Sequence, residues 1–194
     1  AFAYIKEEVP PYTVDEVVNF YDEAGFDLGV AVDHIIGSFN AELDQTLPGI
    51  DAVPQAWRQR QEITLQLATE FLSVHASRKS TFIPIAVAQG WSPASYAHAV
   101  TELQKMGYDY IALGGLVPLK TRDIVAAVEA VDVVRKPSTR LHLLGVTRLD
   151  SLKIFHGHGV VSFDSTSPLQ RAFKDAKVNY YADPEPYTAI RVPR

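Results

Sequence analysis

Side chains able to do chemistry, together with glycines, recur directly after short apolar runs of this 194-residue sequence. Asp33-His34 follows the first run, Gln89-Gly90 the second, and Gly114-Gly115-Leu116 the third. Gly145 and then Asp164-Ser165 follow the next two. Carboxylates and an amide can read the edge of a flat ligand, while glycines let its face approach the backbone. The pattern therefore indicates a binding site for a flat ligand.

Each of these residues also has a structural interpretation. Asp33 or Asp164, taken singly, can cap the next helix or turn. Gly114-Gly115 can serve a loop that needs a positive φ, and Gln89 can bond to local backbone. His156-Gly157-His158 has the residue types of a metal-binding pair, but it precedes a strand and so falls at the opposite end of the sheet. We predict no metal site in this chain.

The elements that must position these residues alternate between strand and helix. Thr13-Val14-Asp15-Glu16 predicts a helix-opening capping box, and we expect Thr121 to cap a later helix. Near the first helix's buried side we expect Val17, Val18, Phe20 and Tyr21. The predicted strands are 26–32, 82–88, 108–113, 141–144, 160–163 and 178–181. The predicted helices are 13–24, 55–77, 93–106, 121–134, 149–156 and 168–174.

Continuous apolar strands that alternate with helices are typical of buried parallel strands in an α/β fold. No G-x-G-x-x-G or P-loop motif is present, so a dinucleotide or nucleoside-triphosphate fold has no support. A doubly wound sheet and a (β/α)8 barrel both fit. In either fold the carboxyl ends of the strands share one face, and that face carries the site.

Composition narrows the function classes. The chain is 47% hydrophobic and 21% charged, as in a folded protein, and without cysteine it has no disulfide, cysteine nucleophile or thiolate metal site. No apolar run approaches about 20 residues, and the first residues do not form a signal peptide. We expect a cytoplasmic protein with no membrane contact.

Charge is uneven along the sequence. Residues 1–97 carry 5 Lys/Arg and 13 Asp/Glu, whereas residues 98–194 carry 13 and 10. Any contact with a polyanion is therefore expected in the second half. Two differently solvated surfaces explain the same asymmetry equally well.

The ordered set of motifs resembles the tRNA-guanine transglycosylase family over essentially the whole chain. In order these motifs are FDLGVAVD (26–33), AQG (88–90), GGL (114–116), LLGV (143–146), and FD (163–164) followed by Pro168. The opening segment AFAYIKEEVPP (1–11) is most similar to the branch that inserts 7-deazaguanine bases into DNA.

The resemblance implies a (β/α)8 TIM barrel, a single transglycosylase-like domain over residues 1–194. Such a barrel needs about 250 residues and eight strands. We therefore expect an incomplete barrel that lacks its N-terminal strands in this chain, within a longer protein.

The resemblance also implies exchange of guanine for a 7-deazaguanine, such as 7-cyano-7-deazaguanine. Asp164 matches the family nucleophile, which forms a covalent glycosyl-enzyme. Asp33 matches the residue that holds the N–H edge of the base, and Phe2 matches an aromatic that stacks on it. The other implied substrate-binding residues are Gln89, Gly90, Gly114, Gly115 and Leu116.

The sequence departs from the family pattern at three places. A second catalytic aspartate is expected upstream of Ala1. The family zinc site of three cysteines and a histidine has no cysteines here, so no cofactor is expected within this chain, and zinc is expected beyond Arg194 or not at all in this branch. Where the family has an arginine after the nucleophile, Gln170 stands here. Candidates for backbone phosphates are Arg171, Lys174 and Lys177.

Three hypotheses remain beside base exchange in DNA. The first keeps the chemistry and changes the substrate to tRNA. The second is a non-catalytic barrel subunit that binds nucleic acid or supports a catalytic partner. The third is an unrelated barrel enzyme acting on a small phosphorylated substrate, but such an enzyme would want a Gly-rich phosphate loop, and none is seen. A helper protein is a further expected partner.

Overall fold

The computed structural model describes residues 10–45, 52–146, 148–174, 180–182 and 185–188. Strands and helices alternate along these residues. The elements are α1 (Val14–Ala24), β1 (Leu28–Val30), α2 (Gln55–Arg78), β2 (Ile83–Ala88), α3 (Pro93–Met106), β3 (Tyr110–Leu113), α4 (Thr121–Val134), β4 (Arg140–Leu143), α5 (Leu152–Gly157), β5 (Val160–Phe163), α6 (Ser167–Lys174), β6 (Tyr180–Ala182) and β7 (Glu185–Tyr187). Two 3-10 helices are Ala41–Asp44 and Leu149–Ser151.

Five parallel strands form one sheet in the spatial order β1-β2-β3-β4-β5. A doubly wound sheet reverses its strand order at a switch point, whereas a (β/α) barrel adds each strand beside the previous one. The fold is therefore α/β, as predicted, and its strand order fits a partial (β/α) barrel.

The predicted sixth strand is not part of this sheet. β6 pairs with β7 in an antiparallel two-stranded sheet, and Tyr180 lies opposite Tyr187. Only two residues separate the two strands in the sequence. A connection this short can join antiparallel strands only, since a parallel pair needs a crossover of a dozen residues or more. The prediction of six similar strands was wrong on this point.

Local signals account for the ends of several helices. The Thr13 hydroxyl accepts the N–H of Glu16 at 3.3 Å, and the Glu16 carboxylate accepts the N–H of Thr13 at 2.9 Å, which confirms the capping box. At α4 the prediction was wrong, because the N-cap is Lys120 and Thr121 is the first helical residue. Phe20, expected on the buried side of α1, is 58% exposed, whereas Val18 is buried.

The main hydrophobic core lies between the sheet and its helices. Ile111 and Leu113 of β3 pack there with Leu103 of α3 and Val128 of α4. The alternate residues Tyr110 and Ala112 face the other side of the sheet; the cluster there is completed by Ile85 and Val87. Both faces of the central strands are thus buried, as in a parallel barrel. Within the described residues, the structure contains no helix with the length and apolar character needed to cross a bilayer.

Candidate active site

The predicted site residues follow neighbouring strands at the same edge of the sheet. Backbone hydrogen bonds continue the parallel pairing past the strand ends. The N–H of Gly114 donates to Ala88 at 3.0 Å, and the N–H of Asp164 donates to Leu143 at 3.3 Å. This pairing keeps the loops after β2, β3, β4 and β5 in register, so the residues that follow these strands lie along the carboxyl edge of the sheet.

Asp33 and Gln89 contact each other across this edge. Nε2 of Gln89 donates to Oδ2 of Asp33 at 2.6 Å, and Oε1 of Gln89 accepts the N–H of Ile36 at 3.3 Å. Gln89 is 1% exposed, so its amide is fixed by these bonds rather than by water. The structural interpretation of Gln89, a bond to local backbone only, is therefore insufficient.

The environment of Asp33 changes its acidity. Burial raises the pKa of its carboxyl group above the ordinary value of 3.8, while the bond from Gln89 and the nearby His34 oppose this rise. The Asp33 side chain borders a cavity of about 390 Å³, a volume within the usual range of ligand sites. A partly desolvated carboxylate beside a cavity can accept hydrogen bonds from a ligand that carries N–H groups.

Gly114 and Gly115 lie directly against the Gln89 amide. A Cβ on Gly114 would be 2.3 Å from Nε2 of Gln89, and a Cβ on Gly115 would be 2.9 Å from Oε1. Gly115 also has a φ of 73°, which favours glycine. The hydroxyl of the buried Tyr96 donates to the carbonyl oxygen of Gly114 at 2.8 Å and fixes the loop after β3. No larger residue fits either glycine position without moving Gln89.

Two further predicted ligand-binding residues have packing roles in this structure. A Cβ on Gly90 would be 2.7 Å from the ring of Tyr96, so this glycine makes room for the aromatic side chain. Leu116 is 0% exposed and packs in the main core, so its side chain is occupied by packing. Neither residue lines the cavity beside Asp33.

Asp164 lies at the end of β5 with an accessible side chain, 56% exposed. Its Oδ1 accepts the N–H of Gly145 at 2.8 Å, and Nε2 of His142 lies 3.1 Å from the same oxygen. Strand β4 and the loop that follows it therefore hold one carboxylate oxygen. An accessible carboxylate with a fixed orientation can act as a nucleophile.

Sequence reasoning missed a row of polar side chains that leads to Asp164. The row lies on the face of the sheet that carries Tyr110 and Ala112, here called the inner face. Nδ1 of His142 lies 2.7 Å from Oγ of Ser162, and Ser162 in turn contacts the hydroxyl of Tyr110. His142 and Ser162 are paired across β4 and β5. The available signal was the polar residue inside each of the short strands RLHL and VVSF, but sequence alone does not say which face it occupies.

Several predicted residues are not placed. Phe2 and Lys177 lie outside the described residues, and Arg171 and Lys174 belong to α6, with side chains that are also outside the description. Their contacts with nucleic acid stay predictions.

In the histidine pair near α5, His158 contacts the carboxylate of Asp132. Nδ1 of His158 lies 3.0 Å from Oδ2 of Asp132, and hydrogen bonding to His158 lowers the pKa of Asp132. The described residues include no cluster of three or more His, Asp or Glu that could hold a metal ion. The cysteine-based zinc site of the resembled family does not fit this chain, which has no cysteine.

Comparison with known proteins gives the relatives of this chain. No family model matches it. It is 45% identical over 195 aligned residues to a protein named DNA-guanine transglycosylase from Salmonella montevideo, an alignment that covers 100% of this chain and 46% of the relative.

A second relative is more distant. The chain is 27% identical over 156 residues, 78% of its length, to a tRNA-guanine(15) transglycosylase from Thermococcus kodakarensis, of which 24% is covered. The chain thus spans about half, or less, of the length of these relatives. The chain is similar along its whole length to the relative named for DNA, and along 78% of its length to the relative named for tRNA.

Proposed function

We propose that the protein containing this chain is a transglycosylase that exchanges guanine for a 7-deazaguanine base in DNA. The observation that carries the proposal is the 45% identity to a DNA-guanine transglycosylase over the whole chain. The site geometry supports it, because an accessible, hydrogen-bonded Asp164 follows β5 while Asp33 and Gln89 contact each other at the same sheet edge.

Recognition of the base would fall to the side of the site formed by Asp33, Gln89 and Gly115. Guanine and its 7-deaza analogues present two N–H donors beside one carbonyl oxygen. The Asp33 carboxylate accepts from the donors, and the second N–H of the Gln89 amide together with the loop amides after β3 can donate to the oxygen. Gly114 and Gly115 let the Gln89 amide pack closely against the loop after β3, where it also contacts Asp33.

The chemistry would be a double displacement at C1′. The Asp164 carboxylate attacks C1′, the C1′–N9 bond breaks, and guanine leaves with the electron pair and takes up a proton. N9 of the incoming 7-deazaguanine, such as 7-cyano-7-deazaguanine, then loses its proton, attacks C1′ and displaces Asp164. Two inversions retain the anomeric configuration, as in a retaining glycosidase.

The target nucleotide must leave its helical stack before Asp164 can reach C1′. DNA is the favoured substrate because of the higher identity to the relative named for DNA. Exchange in tRNA is the second candidate, favoured by the more distant relative.

The deciding experiment incubates the intact protein with labelled 7-cyano-7-deazaguanine and with DNA or tRNA. Single-stranded DNA is included because a helper protein that opens the duplex would then be unnecessary. We expect label in DNA. Label in tRNA alone would replace the DNA proposal with the second candidate, and nucleic-acid binding without incorporation would favour the non-catalytic subunit.

A further inference from the structure

We propose that His142, held by Ser162 and Tyr110, is a positioning residue that selects Oδ2 of Asp164 as the attacking atom and assists its later departure from C1′. This inference rests on the proposed function, in which Asp164 is the nucleophile. It goes beyond that function by assigning a task to three side chains on the inner face of the sheet.

The contacts at Asp164 are asymmetric. Gly145 donates its N–H to Oδ1 at 2.8 Å, and Nε2 of His142 lies 3.1 Å from the same oxygen. Among the described residues no donor contacts Oδ2. A carboxylate is an acceptor only, so the ring nitrogen facing it must carry the proton. The free oxygen is therefore the one presented to a substrate.

The row below His142 fixes this arrangement. If Nε2 carries the proton of a neutral ring, Nδ1 is an acceptor and Ser162 must donate to it across 2.7 Å. The Ser162 oxygen can then accept the hydroxyl proton of Tyr110. Each donor in the row Tyr110–Ser162–His142 points toward Asp164. The His142 side chain is only 15% exposed, so water competes little for its hydrogen bonds.

The charge on Oδ1 explains the expected timing. When Oδ2 bonds to C1′, the carboxylate becomes an ester and its negative charge is lost. When the incoming base displaces Asp164, the C1′–Oδ2 bond breaks, its electron pair returns to the carboxylate, and negative charge returns to Oδ1. Donors that strengthen in a transition state accelerate that step. Gly145 and His142 should therefore accelerate the second displacement more than the first.

The first test reads the hydrogen-bond arrangement without any activity. Ring ¹⁵N chemical shifts of the intact, labelled protein report which nitrogen of His142 carries the proton, and the His142→Phe spectrum assigns the signal. We expect the Nε2–H tautomer, with a shift change in Asp164→Ala. An Nδ1–H tautomer would overturn the proposal, because that ring cannot donate to Asp164. This result is independent of whether the protein exchanges bases at all.

The second test is kinetic. Rapid quenching of the intact protein on end-labelled DNA measures formation and decay of the protein–DNA adduct. For His142→Phe we expect decay to slow by about 10- to 100-fold, the usual effect of losing a hydrogen bond to a charged group. The KM for the free base should stay within about 3-fold, and adduct should accumulate. For Ser162→Ala we expect a smaller slowing in the same direction.

The control is His156→Phe, an exposed histidine on α5 at the far end of the sheet, which should leave both rates unchanged. Unchanged adduct decay in His142→Phe and Ser162→Ala would overturn the positioning role, as would a loss expressed only in KM. If His142→Phe does not fold, Ser162→Ala and the tautomer measurement decide. Wild-type protein that forms no adduct would instead refute the proposed function.

Discussion

The side-chain amide of Gln89 donates a hydrogen bond of 2.6 Å to the Asp33 carboxylate, joining two residues whose positions are 56 apart in the sequence. The same amide closes against Gly114 and Gly115. One buried amide therefore links the loops after β1, β2 and β3, and changes at any of these positions should affect the same property, recognition of the base.

Replacing Asp33 by Asn should weaken base binding while sparing binding of nucleic acid. The change removes a charged acceptor and places an amide N–H against the donors of the base. We expect the KM for the free base to rise about 10- to 100-fold, which corresponds to the loss of one charge-assisted hydrogen bond. Asp27→Asn, before β1 at the opposite end of the strand, is the matched control. A KM equal to that of the control would remove Asp33 from the recognition site.

Base recognition should depend on pH through the same carboxyl group. Burial raises the pKa of Asp33 above 3.8, so the protonated form, which has lost an acceptor, persists to higher pH. The KM for the base should therefore fall as pH rises through the raised pKa. Asp33→Asn should abolish this dependence, and a wild-type KM that is flat across this range would contradict the account.

The contribution of Asp33 to stability should fall as pH rises, whereas its contribution to base binding should grow. Between 3.8 and the raised pKa the folded protein binds more protons at Asp33 than the unfolded chain does. The contribution of this group to the free energy of unfolding is thus greatest at low pH and declines as pH rises through that interval. Urea unfolding of wild type and Asp33→Asn at several pH values measures this contribution. The difference in the free energy of unfolding between the two proteins should change with pH across that interval.

Substituting Gly114 by Ala should displace Gln89. The added Cβ would lie 2.3 Å from the amide nitrogen and 2.9 Å from Val87. We expect a loss of about 1–3 kcal/mol in the free energy of unfolding, typical of overpacking, together with a higher KM for the base. The control is Gly157→Ala, where no atom lies within 4 Å of the new Cβ. If both variants had the same free energy of unfolding and the same KM for the base, the loop after β3 would accommodate the added methyl group without displacing Gln89.

The basic residues after Asp164 are predicted to hold phosphates. Arg171→Ala should weaken binding of DNA and reduce the slope of log K against log salt by about 1. Lys105→Ala, near the end of α3 and paired with Glu102, should change neither quantity. If the salt slope of Arg171→Ala equals that of wild type, the phosphate contact lies elsewhere.

Signals that act within a few residues were readable from the sequence. The Thr13–Glu16 pair predicted the start of α1 because both hydrogen bonds form within one turn. The strand-end residues Asp33, Gln89 and Asp164 were predictable because a parallel sheet brings all carboxyl ends to one edge.

Relationships between distant residues were not readable. The pairing of His142 with Ser162 depends on an irregularity between β4 and β5, where the register shifts between Leu141 and His142. The hydroxyl of Tyr96 donates to the carbonyl oxygen of Gly114 in the loop after β3, although helical periodicity marks Tyr96 only as a core residue. The strand near residue 180 looked like the others because its pairing partner, β7, is too short to be recognised from its pattern.

The most direct measurement is covalent capture of Asp164. The intact protein is mixed with guanine-containing DNA, quenched in denaturant, digested and examined by mass spectrometry. We predict a DNA adduct on the peptide that contains Asp164, absent in Asp164→Asn and chased away by 7-cyano-7-deazaguanine. An adduct that persists in Asp164→Asn, or base exchange by that variant at the wild-type rate, would contradict the assignment of Asp164 as the nucleophile.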